Sequence, residues 1–125
     1  MKSNKEILNQ FGELVIEYVY DDAIKHLNDL INDSTKWGVG KEYTEVFDKL
    51  SKEDVNKLKA YVKKTIGTSL FSFLSILEEN EEFKLIYEEN KNQVNLVEIS
   101  EMLKAEPTIE NGWIERFSKH ATEDK

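Results

Sequence analysis

One apolar pattern constrains the fold of this chain more than any other feature. Val55, Leu58, Val62, Ile66, Leu70, Phe73 and Leu77 recur in steps of three and four. Residues so spaced share one side of an α-helix. The spacing predicts a helix from Lys52 to about Glu79, with Gly67 as a point where it can bend. Ser51 opens it, with Asp54 three residues on in an acidic variant of the capping box. The first half, KEDVNKLKAYVKKT, has a wet lysine-rich face. The second half, TSLFSFLSIL (Thr68–Leu77), is apolar almost all round, interrupted only by Ser69, Ser72 and Ser75. Such a segment is expected at the centre of a bundle, buried on most sides. A ligand groove and a membrane-active segment are the other readings of the same residues.

The rest of the chain supports a helical fold. Ser3 with Glu6 has capping-box spacing and begins a helical pattern that extends to Asp33. Ile16, Tyr20, Ile24, Leu27 and Ile31 form its stripe, widened by Phe11, Val15 and Val19. Gly12 is a weak point that can divide a short first helix from a longer one. Asn32–Gly40 collects turn-forming residues. A helix follows over Lys41–Leu50, presenting Tyr43, Val46, Phe47 and Leu50. After Glu82 the period weakens. Phe83–Tyr87 and Gln93–Leu96 suit a short hairpin around Glu-Asn-Lys-Asn. Asn95 can cap a helix, with Glu98 at its N3 position, that Pro107 ends. Asn111-Gly112 marks a turn, and WIERFSKH forms a last helix docking Trp113, Ile114 and Phe117. The expected architecture is mainly α: a single-domain helical bundle over 1–125, with one short β-hairpin near residues 83–96 and a frayed tail at 119–125.

Several functions are disfavoured by composition. There is no cysteine, so thiolate nucleophiles, disulfides and cysteine-based metal sites are absent. The opening MKSNKEILNQ lacks the apolar core of a signal peptide. No apolar run approaches the ~18 residues of a membrane span. The chain therefore reads as cytoplasmic and away from membranes. Its net charge is −8, which sets it against the phosphate lattice of nucleic acid and suits it to a basic protein.

Specific chemistry finds little footing. Gly38–Tyr43 has a Gly-Lys step, yet Thr35 and Glu42 stand where a phosphate-binding loop needs glycine and a hydroxyl. Asp22, His26 and Asp29 share one helix face and could begin a metal site, and a metal-dependent enzyme built on them is a minor alternative. The favoured reading of them is a solvated acidic face on which His26 is held by Asp22 or Asp29. No Gly-x-Ser-x-Gly or triad context occurs. The acidic clusters at Tyr20–Asp22 and Glu78–Glu82 lack a reason for their carboxyls to titrate apart, as acid–base catalysis requires. The chain reads as a non-enzyme that needs no cofactor.

The charges are segregated. Glu13, Glu17, Asp21, Asp22, Asp29 and Asp33 stand against Lys25 alone over residues 13–33. Lys49, Lys52, Lys57, Lys59, Lys63 and Lys64 dominate residues 49–64. Glutamate dominates again over 78–91. Either these blocks neutralise one another within the fold, or one of them docks a basic surface. The docking reading selects Asp21, Asp22, Asp29 and Asp33, with Glu78, Glu79, Glu81 and Glu82. Trp37 and Tyr43 serve as aromatic anchors.

The stretches YDDAI (Tyr20–Ile24), FSFLSILEE (Phe71–Glu79) and GWIERFS (Gly112–Ser118) give the chain a profile that resembles small acidic bacterial immunity proteins. The resemblance implies a cytoplasmic inhibitor that binds one basic toxin domain. It assigns no functional residue. The alternative from a different class is a structural homo-oligomer, closed across a spare apolar face of the Thr68–Leu77 helix.

Overall fold

Ser3 opens α1 (Asn4–Val15). Its hydroxyl oxygen accepts from the Glu6 N–H at 3.1 Å, and its own N–H donates to the Glu6 carboxylate at 3.2 Å. The expected capping box is therefore complete. The Ser3 N–H, and after it the Ser3 hydroxyl, favour the charged Glu6 carboxylate and hold it below the ordinary glutamate range. The computed structural model describes residues 1–32 and 41–121, with the side chain of Lys41 left aside.

The helix does not break at Gly12. It continues through a π-helical turn (Ile16–Asp21) into α2 (Asp22–Ile31). Gly12 has a packing role instead. A Cβ there would lie 2.6 Å from the Cδ1 and Nε1 atoms of Trp113, which is fully buried. The missing side chain is what lets the indole lie against the helix. Alanine usually improves a helix interior by about 1 kcal/mol relative to glycine. Here the sign reverses: Gly12→Ala is expected to lower stability by roughly 1–3 kcal/mol through overpacking, read as a lower urea midpoint at unchanged slope.

The π turn changes which residues face inward. On an α-helix the residue five positions on lies roughly 140° round the axis. A turn closed by i→i+5 bonds brings it back beneath the first. Ile16 and Asp21 are both buried on this turn, with Tyr20, while Val19 of the expected stripe is exposed.

Next come α3 (Lys41–Phe47) and α4 (Lys52–Glu79). The first stops short of Leu50. Among its apolar residues Tyr43 and Val46 face solvent, and Thr44 is the buried one. The second has the expected bounds and runs unbroken through Gly67, with Ser51 Oγ accepting from the Asp54 N–H at 3.1 Å.

Past α4, β1 (Ile86–Glu89) and β2 (Asn92–Asn95) pair antiparallel, Ile86 opposite Asn95 and Glu89 opposite Asn92. The first strand starts three residues later than expected. The turn is the two-residue Asn90-Lys91, with φ of 51° and 71°, and that left-handed pair is the backbone that matches strand twist in a tight hairpin. Asn95 then caps α5 (Leu96–Ile99), its Oδ1 accepting from the Val97 N–H at 3.1 Å. This helix ends at Ser100 rather than running to Pro107. A 3₁₀ turn (Leu103–Ala105) packs on α4, and α6 (Trp113–Phe117) packs on α1 and the π turn. The result is mainly α-helical with one small hairpin. The core joins Ile7, Ile16, Tyr20, Ile24, Leu74, Leu96, Leu103 and Trp113.

Two expectations are corrected here. The Thr68–Leu77 segment is not buried on most sides: Leu70 and Leu74 face the core, whereas Phe73 is 62% and Ile76 49% exposed. Sequence shows that such a helix is greasy all round, but not how many neighbours it has. The fraying expected over 119–125 does not reach Lys119 and His120. Lys119 donates its N–H to Asp21 at 3.0 Å, and the His120 carbonyl accepts from Lys63 Nζ at 2.9 Å. Residues 122–125 lie outside the described residues.

Candidate docking surface

The first acidic block divides by depth. Asp21 is turned inward by the π turn, where its carboxylate accepts from Ser118 Oγ at 2.6 Å and from the Lys119 N–H at 3.0 Å. It fastens the C-terminal segment and is not presented to a partner. Asp29 is half-buried and paired with Lys25 at 3.0 Å. Asp22 is exposed, 3.7 Å from His26 Nδ1. Asp33 and Trp37 lie outside the described residues.

Glu13 and Glu17, one turn apart on the same helix, are exposed and join Asp22 along an open groove of roughly 650 Å³. The sequence-based site residues omitted both, although their i, i+4 spacing was the available signal. Lys25 of α2 lines the groove beside them, and from the C-terminal segment so do Arg116, Phe117, Lys119 and His120. Arg116 is held by Asn9 Oδ1 at 2.9 Å and stacks 4.7 Å from the Phe117 ring centroid. The groove thus has a helix wall that is acidic apart from Lys25 and a C-terminal wall carrying cations and one aromatic ring.

The second block divides in the same way. Glu78 has a side chain only 16% exposed, accepting from the Lys104 N–H at 2.8 Å and lying 3.7 Å from Lys104 Nζ. It joins the 3₁₀ turn to α4. Lys104 Nζ also sits 3.8 Å from Glu79 and 5.5 Å from the Phe71 ring centroid. Glu79, Glu81 and Glu82 are exposed at the end of α4 and beyond, and Tyr43 is exposed on α3. Glu78–Glu82 do not line the groove that holds the first block. On the hairpin, burial and the Glu89 carboxylate, which accepts from Tyr87 Oη at 3.0 Å, push the Tyr87 phenol upward.

Asp22, His26 and Asp29 are not gathered into a ligand set. Among the described residues no group of three or more His, Asp or Glu side chains is placed to hold a metal ion. Among those residues, too, no helix is long and apolar enough to cross a membrane. Comparison with protein-family models, curated proteins and solved structures gives no match.

Proposed function

We propose that the protein is an acidic binding module that masks a basic protein surface, acting by occlusion without chemistry of its own. The observation that carries this reading is the row Glu13, Glu17 and Asp22, exposed along one wall of an open groove. Carboxylates one turn apart offer successive sites to the lysines or arginines of a partner, and Phe117 supplies an apolar contact beside them. A net charge of −8 would steer such a partner from solution. An immunity protein that neutralises a bacterial toxin from within the cytoplasm is the biological role that fits this chemistry and the profile resemblance.

The test compares the two acidic regions. Association of a fluorescent lysine- and arginine-rich peptide is followed in low and high salt. The triple substitution Glu13→Gln, Glu17→Gln, Asp22→Asn is expected to slow association about tenfold or more in low salt, with the difference shrinking as salt screens the charges. The double substitution Glu81→Gln, Glu82→Gln should leave it within twofold. Equal losses from both variants, or binding indifferent to ionic strength, would sink this assignment.

A further inference from the structure

The exposed side of α4 has a use independent of the acidic groove. Thirteen consecutive residues, Thr65–Leu77, carry no charge. Thr65, Thr68, Ser69 and Ser72 are exposed along it, flanked by Tyr61 at 68%, Phe73 at 62% and Ile76 at 49% exposure. Solvent-facing helix surface is normally charged, so a bare segment of this length is unusual. Three of its hydroxyls are already satisfied. Thr65 Oγ1 donates to the Tyr61 carbonyl at 2.9 Å, Ser69 Oγ to Thr65 at 2.8 Å and Ser75 Oγ to Phe71 at 2.9 Å. Bonds of this kind let small polar residues enter an apolar contact without leaving an unpaired group.

The charges at the two ends are opposite. Lys57 and Lys64 precede the bare segment and Glu79 follows it, all three exposed. We propose that a second copy of this chain covers this face. The two α4 helices pack antiparallel about a two-fold axis between Phe71 and Ser72. That axis sets Lys64 of each copy against Glu79 of the other and opposes the helix dipoles. A parallel arrangement would set lysine on lysine and glutamate on glutamate. The small central side chains permit close approach, and Phe73 and Ile76 of both copies close over the seam. Lys64 and Glu79 stand about 22 Å apart along the helix, so the charged pairs bracket the apolar contact.

Sedimentation of the full chain from about 1 to 100 µM tests this. The expected species is twice the 14.6 kDa of one chain. Phe73→Asp with Ile76→Asp should weaken association at least a hundredfold. Both positions are exposed, so helicity and melting should stay intact. Lys64→Glu or Glu79→Lys alone should weaken it about tenfold, and the two together should restore it. Glu78 remains to neutralise Lys104 in the Glu79 variant. Since the chain lacks cysteine, Ser72→Cys adds the sole thiol, and mild oxidation should link two copies through it. A monomer throughout the range would overturn the proposal. So would a dimer indifferent to Phe73 and Ile76, or one in which the double charge reversal fails to rescue.

Discussion

Trp113→Ala is expected to lower the unfolding free energy by about 3–5 kcal/mol. Trp113 is the largest side chain in the core with no exposed surface. It meets Phe11 edge-on, centroids 5.8 Å apart and planes at 79°, and fills the space that the absent Gly12 side chain leaves open. Removing it empties the junction of α1 and α6. Domains of this kind are stable by about 5–15 kcal/mol, so the variant should lose a large share of that margin and unfold at a clearly lower urea concentration. Circular dichroism across a urea titration measures the loss. Trp113→Phe separates volume from polarity. Its Nε1 has no hydrogen-bond partner among the described residues, so phenylalanine loses ring area without breaking a bond. The expected cost is below half that of alanine. A phenylalanine variant as unstable as the alanine one would contradict this account.

Asp21→Ala is expected to cost about 1–3 kcal/mol, and its effect should be concentrated at the C-terminal segment. The carboxylate receives both the Ser118 hydroxyl and the Lys119 N–H. Alanine leaves two donors without that acceptor in a partly buried place. Amide exchange should speed up at Lys119, whereas the amides of α4 should change only with global stability. Ser118→Ala removes one of the two bonds and should cost less, about 1 kcal/mol. It also removes the acceptor for the His120 N–H at 3.0 Å. If Asp21→Ala were neutral, the buried carboxylate would not be what fastens the segment.

The local part of the fold was legible in the sequence, and the non-local part was not. Ser3 with Glu6, Ser51 with Asp54, and Asn95 with Glu98 are signals confined to four residues, and all three residues cap their helices; the reciprocal box forms at Ser3–Glu6, whereas Asn95 accepts from the Val97 N–H rather than at Glu98. The hairpin was legible as well, but its turn was placed too wide, because Asn-Lys is a weaker hairpin signal than Asn-Gly. The misread residues are those whose partners lie far along the chain. Gly12 reads as a helix breaker until Trp113 is placed against it. Asp21 and Glu78 look like members of solvated clusters, yet Asp21 pairs across 97 positions with Ser118, and Glu78 across 26 with Lys104. The π turn that points Asp21 inward has no distinct residue pattern. Of the proposed acidic surface, charge alone identifies Asp22; Glu79, Glu81 and Glu82, selected on the same ground, are exposed but lie away from the groove. Glu13 and Glu17 were left out, because only the C-terminal segment lying opposite makes them a wall.

The slot at Gly12 bears on when the fold can be completed. Its occupant arrives about a hundred positions later, and the Asn9–Arg116 and Asp21–Ser118 bonds span similar separations. During synthesis the helix that carries Gly12 is made long before Trp113, so its slot stays unfilled until α6 leaves the ribosome. Early helix formation is local and fast, but sealing the core depends on long-range closure, the slow element of any folding reaction. A nascent chain paused ahead of Gly112 would hold its first helix with that socket empty, a surface suited to transient capture by a chaperone.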